Sequence, residues 1–270
     1  MLVIKKVIVI SPSPFSRFTL ATLYLFERNG IEVSGVIINK LFNLSRLKQE
    51  IRRDGFRLVK KIFRKLILRS AENPITNDDN IISYMAEEGM TASSVNDFCK
   101  RREIAVFQSA NLNDTKVADF IKGHQPDCIA FTGGGLIKEN IIQQAGLGVV
   151  NCHMGILPQY RGMDVVEWPI LRGNFDQIGM TTHLMNRGID TGNIIQHFKI
   201  DTSKYSVIGD LRNGIERQMP GFLVDSCVKL MDGSITPFAQ KEEDGIQHYT
   251  INKRLCPLID QQLFQESARH

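Results

Sequence analysis

A chain of 270 residues, 43% hydrophobic and 23% charged, has ordinary globular composition with enough apolar content for a sizeable core, which excludes a fibrous or low-complexity protein. The formal charge of +4 conceals an asymmetry: residues 41–70 hold ten Lys/Arg against two acids, a local +8 that leaves the remainder at −4. Five irregularly spaced cysteines, with no CxxC or Cys/His cluster, argue against a metal site and for a reduced, cytoplasmic setting.

The chain begins "MLVIKKVIVI", which has two lysines and no small-residue cleavage site and reads as a first strand rather than a leader. No uncharged apolar run is long enough to cross a bilayer. Residues 5–11 form a buried strand, 15–29 have helical spacing closed by Gly30, and 31–39 form a second strand. Strand, helix and strand with short connections make a βαβ unit and a parallel sheet. In the basic segment, Leu44, Leu47, Ile51, Leu58, Ile62, Phe63, Leu66 and Ile67 follow an amphipathic helical spacing interrupted near Gly55. Residues 71–80 read as a loop, and 81–100 carry little periodic signal.

The alternation then resumes. Residues 103–109 predict a short strand, Asp114 caps a helix, and 126–135 form a strand running into Gly133, Gly134 and Gly135. Residues 136–145 predict a helix and 146–153 a strand. Residues 163–173 predict a helix disturbed near Pro169. Residues 178–186 and 192–200 pair as strands around "RGIDT", and 206–231 form one helix or two broken at Pro220. The tail holds turns and short strands. The three glycines lack the GxGxxG spacing of a dinucleotide fingerprint, and "SPSPFS" is no P-loop.

Chemistry concentrates at the end of the 146–153 strand, in "NCHMGILPQYRG". Ligands of open α/β sheets bind beyond the carboxyl ends of the strands. Strand alternation points Asn151 and His153 to one side and Cys152 away from them. An amide N–H beside a protonated imidazole holds a carbonyl oxygen that becomes negative. Asp190, in the "RGIDTG" turn, is the candidate to orient the imidazole, raise its pKa and receive a proton. This set suits attack by an amine on an acyl carbon. His183, His197 and His248 have no comparable context and read as structural or solvated.

Taken together, "NCHMGILPQYRG", "EWPILRG" and "GMTTHLMNRGIDTGNII" resemble the formyltransferase family that uses 10-formyltetrahydrofolate, whose signature is Asn-x-His, Leu-Pro-x-Tyr-Arg-Gly and an Asp in a Gly-x-Asp-Thr/Ala-Gly turn. The resemblance is strong over residues 126–200, extends to the first strand and helix, and is weak over 41–110 and the tail. Many members have Pro-Ser where this chain has Met154-Gly155, which touches loop shape rather than chemistry.

The resemblance implies an α/β, Rossmann-like formyltransferase fold, with a mostly parallel central sheet flanked by helices, a basic helical insertion and a short C-terminal extension. The catalytic domain would span 1–205, with the insertion at about 41–70, and residues 206–270 would form a helix and small extension. It implies Asn151, His153 and Asp190 as the catalytic residues. The folate pocket would be lined by Gly133, Gly134, Gly135, Leu136 and Ile137 and by Asn186, Arg187, Gly188 and Ile189. Tyr160, Arg161 and Gly162 would bind substrate or shape the loop. The formyl donor would be 10-formyltetrahydrofolate, with no metal.

The acceptor amine must be read outside the motif. "SPSPFSR" is proline-rich where a glycinamide ribonucleotide enzyme would cradle a phosphate, and a formyltetrahydrofolate hydrolase would carry an extra N-terminal domain. About 70 residues after "NIIQHFKI" are fewer than the second domain of a methionyl-tRNA formyltransferase, although the basic insert could serve tRNA. The favoured reading is a nucleotide-linked amino sugar, for O-antigen, lipopolysaccharide or another envelope polysaccharide. A non-catalytic folate or nucleotide binder on the same scaffold is the reading from a different class. Segment 41–70 would be a solvated helix, a dimer contact, or a membrane-surface helix holding the enzyme peripherally at the inner membrane.

Overall fold

The computed structural model describes residues 5–40 and 80–269. The basic segment and the expectations attached to it lie outside the described residues. Among the described residues, no helix is long and apolar enough to cross a membrane.

Strands β1 (Lys6–Ser11), β2 (Glu32–Asn39), β3 (Val106–Ser109), β4 (Cys128–Phe131), β5 (Val149–His153), β7 (Gly179–Leu184) and β8 (Ile194–Lys199) make a seven-stranded sheet in the order β3-β2-β1-β4-β5-β7-β8. The first five pair in parallel, and β7 and β8 add antiparallel. Two short strands, β6 (Tyr160–Gly162) and β9 (Ile246–His248), pair in parallel outside it. This is the mostly parallel α/β sheet that the strand–helix alternation implies.

Strand alternation divides the core. Val7 and Val9 of β1 face one layer, which holds α1 (Arg17–Arg28), α2 (Ile81–Glu87), α3 (Val95–Arg101), α7 (Ile208–Asp232) and α8 (Cys256–Ser267). Ile8 and Ile10 face the other, with α4 (Thr115–His124) and α5 (Glu139–Ile142). All four of these β1 side chains are fully buried, worth about 1.5–3 kcal/mol each in apolar burial. Ser16 accepts the N–H of Thr19 to start α1, and Asp114 accepts that of Lys116 to start α4.

Several boundaries differ from the sequence expectation. The helix expected over 136–145 shrinks to α5, because Asn113 holds the carbonyl of Leu136 and the N–H of Lys138 in the preceding loop. The helix expected over 163–173 shrinks to α6 (Glu167–Leu171), entered after Asp164 in a left-handed conformation. Helix α7 runs unbroken through Pro220, since Met219, Leu223, Val224 and Cys227 around it are buried; packing outweighs the missing N–H. The weak 81–100 stretch contains α2 and α3, capped by Asn80 and Ser94. The tail holds the 12-residue helix α8, where only turns and strands were expected.

Candidate active site

β5 ends the parallel part of the sheet, and its last residues meet β7 on one side and the turn 154–162 beyond. In the register, Asn151 faces His183 and His153 faces Thr181. Asn151 and His153 share one side, while Cys152 lies in the opposite core layer, where burial pushes its thiol up. Asp190 approaches from the β7–β8 connection. Its Oδ2 lies 3.6 Å from His153 Nδ1, and its Oδ1 lies 3.6 Å from His183 Nε2. Thus the three predicted catalytic residues converge.

His183, which its sequence context marks only as structural or solvated, completes the cluster. It is 2% exposed, and its Nε2 lies 3.1 Å from Asn151 Nδ2 while Nδ1 donates to the carbonyl of Leu184 at 3.1 Å. In the neutral ring this makes Nε2 the acceptor for one Asn151 N–H and leaves the second free. The signal lay in the cross-strand pairing of Asn151 with His183, which strand propensity does not reveal without the register.

The electrostatics correct one expectation. His153 is 8% exposed, and burial lowers its pKa despite the opposing charge of Asp190. Burial favours the neutral imidazole, with Nε2–H donating to the carbonyl of Tyr160 at 2.8 Å. Burial would raise the Asp190 carboxyl, but His183, His153 and the Gly162 N–H, 2.9 Å from Oδ2, together bring it down to about 2. Both shifts have the same sign in folding. The unfolded chain binds protons more readily than the folded one below the ordinary histidine value of 6.5, and again below the ordinary aspartate value of 3.8. Stability is expected to fall as pH drops through each window, with Asp190 alone contributing about 2 kcal/mol that is lost towards pH 2. Urea midpoints measured from pH 8 to pH 2 check this, and His153→Asn should flatten the upper window and, by removing one of the groups that hold the Asp190 carboxyl down, shrink the lower one.

The turn that follows is tightly held. Tyr160, Arg161 and Gly162 form β6 and pair with β9. Tyr160 is buried, its hydroxyl accepts from Asn174 Nδ2 at 2.8 Å, and its ring stacks on His248 at 5.1 Å. Arg161 is buried and donates to the carbonyl of Gly245 at 2.7 Å. His197 Nε2 donates to the carbonyl of Leu157 at 2.8 Å. Gly162 has φ of +95°, and a Cβ there would lie 2.3 Å from the carbonyl oxygen of His248. Gly162→Ala is expected to destabilise the fold by roughly 2–3 kcal/mol, read as a lower thermal midpoint with Asp190 displaced from its N–H donor.

The two predicted cofactor loops flank this centre. Gly133, Gly134 and Gly135 all have positive φ, and Asn39 Nδ2 donates to the Gly134 carbonyl at 2.8 Å. Leu136 is 73% exposed, whereas Ile137 is buried and packs inward. In the other loop, Asn186 Oδ1 accepts from Gly188 N and Thr191 Oγ1, a local turn lock, and Ile189 is exposed. Arg187 Nε donates to Glu139 Oε2 at 2.9 Å, joining the second loop to the helix after the first. Among the described residues, no group of His, Cys, Asp and Glu is arranged to hold a metal ion.

On the α1 side lies a cleft of about 650 Å³, lined by Ser13, Phe15, Arg17, Ile82, Met154 and Glu216 among others. Met154, which lines it, directly follows His153 at the end of β5. Burial raises the Glu216 carboxyl despite the nearby Arg212, whose guanidinium is taken up by Glu167 at 2.6 Å on both Nε and Nη2.

Comparison with known proteins places this geometry in context. The family model described as "Formyl transferase" matches residues 73–226. A methionyl-tRNA formyltransferase from Clostridium tetani is 28% identical over 173 residues, 63% of this chain and 55% of that protein. The chain spans about half the length of the curated relatives it matches. Among solved structures, glycinamide ribonucleotide transformylase 1 from Symbiobacterium toebii aligns with a TM-score of 0.55 at 15% identity, over 87% of this chain and 94% of its own. A sugar N-formyltransferase from Shewanella sp FDAARGOS_354 aligns with a TM-score of 0.51 at 14% identity, over 98% of this chain and 88% of its own. Likeness at these identities shows the shared fold.

Proposed function

We propose, on the premise that this chain belongs to the formyl transferase family, that it transfers a formyl group from 10-formyltetrahydrofolate to the amine of a nucleotide-linked amino sugar. The observation that carries formyl transfer is the convergence of Asn151, His153 and Asp190, with both Asp190 oxygens 3.6 Å from an imidazole.

The two loops beside that centre fit the donor. Each leaves an apolar side chain exposed, Leu136 and Ile189, between polar backbone turns, which suits a flat heteroaromatic ring with hydrogen-bonding edges. Gly133–Ile137 and Asn186–Ile189 would hold it. When bound, the donor supplies a formyl carbon open to attack by an amine.

The chain's own residues supply the rest. Asn151 directs its free N–H to the carbonyl oxygen as that oxygen gains negative charge, and His183 keeps the amide turned for this. The neutral His153 is available to take a proton at Nδ1, the nitrogen facing Asp190. That proton is the attacking amine's, delivered directly or through water, and Asp190, ionised at neutral pH, stabilises the imidazolium so formed, so the two side chains act as one acid–base group. The proton then returns to the departing nitrogen, and the formyl group remains on the acceptor. No Ser or Cys nucleophile takes part.

The cleft at Phe15, Arg17 and Met154 supports the acceptor reading. Phe15 is 69% exposed, a face on which a base can stack, and Arg17 supplies one cation for a phosphate. A second reading, methionyl-tRNA as acceptor, follows from the curated relatives. Turnover with 10-formyltetrahydrofolate against nucleotide-linked 3- and 4-amino sugars, glycinamide ribonucleotide and methionyl-tRNA separates the two. Activity on a sugar nucleotide alone is expected; activity on tRNA alone would replace this reading with the second.

A further inference from the structure

Asp190 is held by more than the groups it faces. It adopts φ of +54°, a left-handed conformation that Asp enters more readily than most non-glycine residues and that leaves the turn dependent on its anchors. Its carboxylate is anchored by the Gly162 N–H. Its backbone is anchored from the tail of the chain: Gln240 Nε2 donates to the carbonyl of Asp190 at 2.9 Å and to that of Gly192 at 2.6 Å. Both acceptors are carbonyls, so reversing the amide would set oxygen against oxygen, and its orientation is determined. The segment carrying Gln240 is registered independently. Ile194 N–H donates to the Phe238 carbonyl at 2.8 Å, and Phe238 N–H to the Ile194 carbonyl at 2.9 Å. The strap after α7 therefore seats itself on β8 two residues from the Asp190–Gly192 turn, and Gln240 closes over that turn.

We propose that Gln240 is a positioning residue: by holding the carbonyls of Asp190 and Gly192 it fixes the Asp190 carboxylate between His153 and His183, so the strap after α7 belongs to the reaction apparatus. Its kinetic consequence rests on the formyl-transfer reading; its placement of Asp190 does not.

The test uses the full chain carrying Gln240→Ala or the isosteric Gln240→Glu, which keeps the volume and removes the N–H donors. Both variants should lower kcat by about tenfold or more with KM for the amine within about twofold, since displacing a catalytic group affects the reacting state before binding. In an Asp190→Asn background, Gln240→Ala should add no further loss. The imidazole resonances of His153 and His183, followed by NMR across pH, give a readout that needs no turnover. Withdrawal of the Asp190 charge should move the His153 titration downward in Gln240→Ala, which adds no charge of its own. Wild-type kcat in both variants with an unmoved His153 titration in Gln240→Ala would overturn the proposal. If the wild type formylates no amine, the formyl-transfer reading fails alone. The titration then decides the positioning: movement supports it, and none overturns it.

Discussion

Asp190→Asn is expected to lower kcat by roughly a hundred- to ten-thousandfold, the range of a lost general acid–base group, with little change in KM for either substrate. The amide retains an oxygen for the Gly162 N–H, 2.9 Å away in the native protein, so the turn should keep its shape. What disappears is the charge that faces His153 Nδ1 and His183 Nε2. The variant should also lose the stability that titrates between the ordinary value of 3.8 and about 2, about 2 kcal/mol at neutral pH. Because His153 is already pushed towards the neutral form by burial, removing Asp190 lowers its affinity for a proton further. The kinetic and titration effects are thus two views of one interaction. Single-turnover rates and an NMR titration of His153 measure them separately. A variant with normal turnover would detach Asp190 from the chemistry.

Asn151→Ala is expected to cost roughly a hundred- to a thousandfold in kcat, the usual loss for one donor to a developing oxyanion. Asn151→Asp should be worse, since it sets a carboxylate oxygen where negative charge develops. The alanine variant also strips His183 Nε2 of its 3.1 Å partner. Combining Asn151→Ala with Asp190→Asn should give less than the product of the single losses, because residues that stabilise one transition state act as a unit. Strict multiplication of the two effects would indicate independent roles.

Much of this architecture was legible in local pattern. β1 and α1 follow from an apolar run and a helical stripe, the cap of α4 from Asp114, and the β7–β8 pair from two alternating segments around "RGIDT". The placement of Asn151 and His153 on one side follows from the two-residue period alone. Other features depend on long-range geometry. α2 and α3 are each seven residues long, too short for a helical stripe to stand out. His183 joins the site only through the β5–β7 register. The carboxylate beside His153 was readable as a force raising its pKa, but the larger opposing effect of burial belongs to the folded core. Gln240 sits in a polar tail, and its importance comes from two carbonyls 50 and 48 residues earlier in the chain.

The central claim is that Asn151, His153 and Asp190 form a centre for formyl transfer to an amine. The most direct measurement uses 10-formyltetrahydrofolate labelled in the formyl carbon, with mass-spectrometric detection of label on a nucleotide-linked amino sugar, for wild type and His153→Ala side by side. Label is expected on the sugar amine with the wild type, and its near-complete loss with the variant. Transfer undiminished in His153→Ala, or no transfer to any amine by the wild type, would contradict it.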